Sequence, residues 1–282
     1  MSSNALINLG ELSRPATVLV ERISDAVGGL FRPWQIKRIA EAEAEAGLIE
    51  AKSQIEITDL HRRAMHRFVE EEAKKQKNME DITQQALPLV EENSSPDKVE
   101  DDWITNFFDK CRKVSDADMQ RIWAKVLAGE ANRPGRFSRK TVNLIADLDR
   151  RDAEYFATLC RFVWHIGGPT PLIFNPYDAF YAKNGINFNL LSRLGSLGLI
   201  FFENLAGYQR QGLPRHFPAF YYGRVLMLAL PKDADNSLQL GKVLFTQAGE
   251  ELLALCDSKA IEGFFEFVSK IWKSFTPPDE DS

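Results

Sequence analysis

The 282-residue sequence is poor in cysteine: Cys111, Cys160 and Cys256 lie far apart and form no C-x-x-C pair. Three thiols cannot all be bridged, which excludes a disulfide-stapled secreted fold and leads us to expect a reducing, cytoplasmic setting with buried structural thiols. No run of about 18 apolar residues occurs, so no ordinary membrane-spanning helix is expected. The opening "MSSNALINLGELSRP" lacks the basic start and apolar core of a secretion signal. An excess of positive charge is also missing. The formal net charge is −5, and residues 41–103 hold 17 acids against 8 Lys/Arg, which argues against bulk coating of nucleic acid.

Residues arranged for chemistry are equally scarce. His61 and His66 stand five apart, whereas two ligands on one helical face need a spacing of four, and His165 sits in apolar "RFVWHIGG". "GEANRPG" has no following Lys-Ser/Thr, so it is no Walker loop. "LGSLG" around Ser196 is not a G-x-S-x-G elbow, and Asp147, Asp149 and Asp152 are spaced around a helix axis. We therefore assign no catalytic residue, metal ligand, cofactor or small-molecule substrate, and expect a non-enzymatic protein.

What is present is helical patterning. Ala16, Leu19, Val20, Ile23, Ala26, Val27, Leu30 and Phe31 recur at i, i+3, i+4, i+7 after Pro15, the stripe of an amphipathic helix. Its occupant could be the protein itself or its oligomer, another protein, or a lipid surface. Leu19, Val20, Ile23, Val27, Leu30 and Phe31 are the candidate contacts. From Trp34 to Ala86 the chain is rich in Ala, Glu, Lys and Gln, which predicts a helical hairpin or loose coiled-coil stalk. "PLVEENSSPDKVEDD" has the composition of a linker, with a boundary near Ser94.

A tighter helical block follows. Trp103, Ile104, Phe107, Phe108 and Cys111 share one face, and Ser115 is the expected cap of the helix carrying Met119, Ile122, Trp123, Val126 and Leu127. Gly129 and Pro134-Gly135 end that helix, and Ser138 caps the next, "RKTVNLIADLDRRD". Beyond Asp149, "DAEYFATLCRFVWHIG" reads as a helix, "GPTPLIFNPYDAFYAKNG" as an irregular connection, and "NFNLLSRLGSLGLI" as a short helix ending at Gly198. "LIFFENL", "FPAFYYGRVLMLALP" and "LQLGKVLFT" read as strands, and Thr246 caps a closing helix. The expected fold is mainly α (α+β). An amphipathic helix and stalk occupy residues 1–93, a helical middle block 94–148, a winged-helix-like module 149–275, and a disordered tail 276–282.

The blocks "RPATVLVERISDAVGGLFRPWQIKRIAEAEAEA", "DDWITNFFDKCRKVSDADMQRIWAKVLAGEANRPGRFSRKT" and "LFTQAGEELL" resemble the bacterial family of domain of unknown function 2806. The chain is also similar in outline to the abortive-infection alpha proteins, in its "GGL" opening, its "WAKVLA" helix and its terminal "FTQAG". The resemblance implies a role in prokaryotic phage defence and supplies no catalytic residues.

Two basic regions are candidate anion or nucleic-acid sites. Arg133, Arg136, Arg139 and Lys140 flank the helix start at Ser138, where free N–H groups and the macrodipole favour an anion. The rival reading is a solvated corner whose arginines pair with acids of residues 70–102. In the C-terminal part, the presumed recognition helix carries only Arg193, while Arg210, Arg215 and Arg224 stand among aromatics as in a wing that touches a backbone. The functional expectation is a regulatory or interaction protein that forms a homo-oligomer and recognises a protein or nucleic-acid trigger. The alternatives are a winged-helix DNA-binding regulator and an effector that makes peripheral membrane contact through residues 16–31.

Overall fold

Ser13 opens the first helix, α1 (Arg14–Ala26), by accepting from the Ala16 N–H at 3.4 Å, with Pro15 in the first turn where its missing N–H costs nothing. The structure, a computed structural model, describes residues 12–28 and 59–275. It divides into two units, Met1–Ala146 and Asp147–Ser282. It is mixed α/β, with more helix than strand and only small antiparallel sheets.

The first unit continues with α2 (Asp59–Ala86), α3 (Asp101–Cys111), α4 (Ala117–Asn132) and α5 (Arg139–Ala146). Its core is the apolar stripe of α3 against that of α4. Trp103 stacks on Phe107 with centroids 5.1 Å apart, and Phe107 meets Trp123 edge-on at 5.1 Å. The C-terminal half of α2 buries Asn78, Ile82, Thr83 and Ala86 against α4, where Asn78 Nδ2 donates to the Arg112 carbonyl at 2.9 Å. Asp116, one residue after the expected Ser115, caps α4 by accepting from Asp118 N and Met119 N.

Residue 94, where composition suggests a boundary, lies inside this unit. Val90, Pro96 and Val99 are buried, Ser95 N donates to Ala131 O at 3.2 Å, and Glu91 N donates to Asn132 Oδ1 at 2.9 Å. The acids face water, but two valines and these bonds strap the segment to the end of α4. The helix expected from Arg139 into Asp152 also breaks, because Asp149 and Asp152 form a capping box that starts a new helix.

The second unit begins with that helix, α6 (Arg150–Cys160). It continues through β1 (Val163–His165), β2 (Pro169–Pro171), α7 (Ala179–Lys183), α8 (Phe188–Ser196), β3 (Ile200–Phe202), β4 (Tyr208–Leu213), β5 (His216–Tyr221), β6 (Arg224–Ala229), β7 (Asn236–Gly241), β8 (Val243–Phe245), α9 (Gln247–Leu253) and α10 (Phe264–Ile271). The helix expected to run through Trp164 ends at Cys160, and Val163–His165 is a strand paired with Pro169–Pro171. Strand order is β2-β1-β5-β6, with β3 paired to β8 and β4 to β7, all antiparallel. β5 and β6 form a hairpin closed by Tyr222 and Gly223, both left-handed at φ 43° and 82°, which matches the twist of the strands. α10 inserts Phe264 among Phe162, Trp164, Tyr181 and Tyr221, with centroids 5.0–6.4 Å away. No described helix is long and apolar enough to cross a membrane.

Candidate functional site

The basic turn between α4 and α5 is built around an acid. Glu130, buried near the end of α4, accepts from Gly135 N at 2.6 Å and from Phe137 N at 2.8 Å, one bond to each carboxylate oxygen. Gly135 adopts φ 85°, which a residue with a Cβ rarely does. Trp103 Nε1 donates to the Phe137 carbonyl at 2.7 Å, and Arg136 lies over the Phe137 ring at 5.5 Å. Ser138 caps α5, accepting from Thr141 N at 3.2 Å. Arg139 reaches Asp102 at 3.8 Å, both side chains exposed. The fold thus gathers Arg133, Arg136, Arg139 and Lys140 at one corner, but two of its N–H donors are spent on the chain's own carboxylate.

The C-terminal cations have protein partners. Arg193, the single cation of α8, donates through Nε and Nη2 to the two oxygens of Asp152, each at 2.8 Å. The Asp152 side chain is buried and the Arg193 side chain about half exposed. The Arg193 guanidinium thus ties α8 to α6. Arg210 donates through Nη1 to the Ile166 carbonyl, and Arg215 pairs with exposed Asp233 at 3.2 Å. Arg224 pairs with Glu266 at 2.7 Å and lies 3.7 Å from the centroid of the Phe265 ring. These last three remain on the surface, each anchored to a different element.

The Arg193 guanidinium, by hydrogen bond above all, holds the Asp152 carboxyl below the usual carboxylate range. Because the folded-state value is depressed, the stabilisation is complete above about pH 3.9 and is lost as pH falls through the lowered value. Asp152→Asn should therefore remove part of the acid sensitivity of the second unit, checked by urea midpoints between about pH 5 and 2. An unchanged slope of midpoint against pH would contradict that role.

The amphipathic face of α1 is not a surface either. Leu19, Val20 and Ile23 are fully buried against α3 and the turn Pro96–Lys98, and Arg22 both donates to the Val99 carbonyl and pairs with Asp101 at 2.8 Å. The stripe found its occupant in its own unit. That corrects the expectation of a partner or membrane contact at these three positions. Val27 is half-exposed, while Leu30 and Phe31 lie outside the described residues.

Sequence reading overlooked a different surface. Phe220 stands opposite Val225, and Pro218 opposite Met227, on one face of the β5–β6 hairpin, and Phe220, Val225 and Met227 are exposed. The signal was available: "HFPAFYYGRVLMLA" is apolar at nearly every position, a pattern for strands covered on both faces, and here one face meets water. The adjoining depression, about 600 Å³, is lined by Tyr221, Tyr222, Arg224, Ile261 and Glu266 among others. Burial pushes the Cys111 and Cys160 thiols up, as inert structural thiols require. Among the described residues, no group of three or more His, Cys, Asp or Glu could hold a metal ion.

A family model described as a protein of unknown function, DUF2806, matches residues 62–269, more than half of the chain. The chain belongs to the DUF2806 family. The DUF2806 span begins within α2 and ends in α10, so it takes in the basic turn, the Asp152–Arg193 pair and the hairpin, while α1 precedes it. No curated protein and no solved structure matches the chain.

Proposed function

We propose that this DUF2806 protein is a non-enzymatic interaction protein of prokaryotic phage defence, which self-associates and recognises a protein trigger through its C-terminal unit. The observation that carries the reading is the exposed apolar face of Phe220, Val225 and Met227, because a contiguous apolar patch with a polar rim is the ordinary mark of a protein contact. The succession α6, β1, α7, α8, β3, wing strands and β8 supports a winged-helix-like module, with the β5–β6 hairpin inserted into the wing. Apart from Arg193, the outward side of its α8 shows Asn187, Phe188, Asn189, Ser192 and Ser196, which favours protein over DNA, since groove binding needs several cations on phosphate. The defence role rests on the resemblance to abortive-infection alpha proteins. The extended α2 serves as the stalk.

The test is a phage challenge of a sensitive bacterial host. Wild type is expected to lower plating efficiency, and a Phe220→Asp, Val225→Asp double variant, altered only at exposed positions, to lose protection. Equal plating with and without the wild type would overturn the defence role. Protection retained by the double variant would overturn the hairpin face as the contact. Fluorescence anisotropy with duplex DNA is expected to show no binding at physiological salt; a steeply salt-dependent association would replace this reading with a DNA-binding regulator.

A further inference from the structure

The two strands at the ends of the four-stranded sheet are built differently. β2 is three residues long and has proline at both ends, Pro169 and Pro171, so it offers few N–H groups to a neighbouring chain. β6 is six residues long, pairs with β5 without a bulge, and carries neither proline nor charge between Arg224 and Pro231. A regular, apolar edge of this kind is a template for another strand. Register fixes which of its groups point outward. The two-residue turn Tyr222-Gly223 makes Tyr221 and Arg224 a hydrogen-bonded pair, and such pairs recur at every second position. Leu230 N, donating to Arg215 O at 2.6 Å, continues the alternation. The even-numbered residues of β6 therefore bond to β5, and Val225, Met227 and Ala229 turn their N–H and C=O groups away from it. Among the described residues these outward groups meet no partner. The side chains of the same three residues lie on the apolar face, where Val225 is 49% and Met227 47% exposed.

The occupant that fits this edge is a second copy of it. A two-fold axis perpendicular to the sheet at Met227 lays two β6 strands antiparallel, with Met227 opposite Met227 and Val225 of each copy opposite Ala229 of the other. Every outward N–H then meets an outward C=O. The same axis keeps the apolar faces of both hairpins on one side of the joined sheet, so that Met227 of each copy covers part of the other and the two patches become one. The charges agree with this direction. β6 begins at Arg224 and is followed by Lys232, Asp233 and Asp235, two acids against one base. Antiparallel pairing brings Arg224 of each copy to the end where that acidic loop begins in the other, whereas parallel pairing would set Arg224 against Arg224.

We infer that β6 pairs antiparallel with β6 of a second copy, joining two four-stranded sheets into one through the outward edge of Val225, Met227 and Ala229. The inference rests on the self-association in the proposed function and deepens it by assigning it a surface, one that also merges the two hairpin faces offered to the trigger. A single pair of strands this short buries less than the roughly 1,600 Å² of a standard interface, so the dimer is reversible and concentration-dependent. Main-chain bonds set its register, and the apolar side chains beside them drive association.

The experiment is sedimentation velocity of the full chain over a roughly hundredfold range of concentration. Wild type is expected to move from monomer to dimer. Met227→Pro removes an outward N–H, loses no bond to β5, and should remain monomeric. Met227→Lys keeps the whole backbone but sets like charges side by side, and should weaken the dimer at least about tenfold. An unchanged circular dichroism spectrum verifies the fold of both. Register is read by crosslinking, with copper(II) phenanthroline as oxidant and the unsubstituted chain as background. Met227→Cys is expected to give a covalent dimer, because hydrogen-bonded partners stand about 5.5 Å apart, within disulfide reach. Val225→Cys alone should not crosslink, since the two copies of that position lie about 13 Å apart along the strands, whereas Val225→Cys with Ala229→Cys should. A dimer indifferent to Met227→Pro and Met227→Lys, or one in which Val225→Cys crosslinks as readily as Met227→Cys, overturns this edge and leaves self-association to another surface. A wild type that is monomeric throughout overturns self-association and this pairing together, while recognition through the hairpin face keeps its own test.

Discussion

Phe264→Ala is expected to destabilise the Asp147–Ser282 unit by about 3–5 kcal/mol, the range for deleting a fully buried ring whose site cannot collapse. Phe264 stands edge-on to Phe162 at 5.0 Å and to Tyr221 at 5.4 Å, stacks on Phe180 at 5.8 Å, and reaches Trp164 at 6.4 Å. These neighbours hold one another in turn. Trp164 stacks on Tyr221 at 5.2 Å, whose hydroxyl donates to Arg161 O and accepts from Ile261 N. The void left by alanine would therefore be lined by side chains that cannot all move inward. Hydrogen exchange at the amides of β1 and α10 reads this unit by itself. A loss below about 1 kcal/mol would mean that the cluster repacks, and that α10 is an appendage and not part of the core.

Glu130→Gln is expected to cost the Met1–Ala146 unit about 2–3 kcal/mol although the side chain keeps its shape. The carboxylate accepts from Gly135 N with one oxygen and from Phe137 N with the other. An amide offers one oxygen only. Its NH₂ would face a backbone N–H, donor against donor, at a carboxylate whose bond to Phe137 N is buried and whose bond to Gly135 N is part-buried. The consequence should be local as well as global: the turn 133–138 loosens and exchange at Gly135 and Phe137 speeds up, measured together with the urea midpoint. A cost below about 0.5 kcal/mol would show that the turn holds its form without the acid, and its donors would then be open to an external anion.

Much of the fold was legible because it is local. Pro15, Ser138, Gly198 and Thr246 sit at helix ends where their side chains or backbone freedom are needed, and the stripes of α3 and α4 face the core as their spacing requires. The failures were local patterns overruled from a distance. Trp164 extends a helical pattern on paper, but pairing with Thr170 and stacking on Tyr221 make it a strand residue. The acidic segment around Ser94 has the composition of a linker until Val90 and Val99 are seen in the core.

The candidate sites followed the same division. The sequence alone established where the cations and apolar stripes lie, several of the helix ends, and the resemblance to the DUF2806 family that the family match bears out, because each of these depends on neighbours within a few positions of the chain. Only the tertiary structure decided which groups still face water: Asp152 takes Arg193 from 41 residues away, the α3 region takes the greasy side of α1, and the outer flank of the hairpin is left bare. Availability for binding is what remains after every internal partner has been satisfied, and such partners are chosen by distance in space, to which spacing along the chain gives no access.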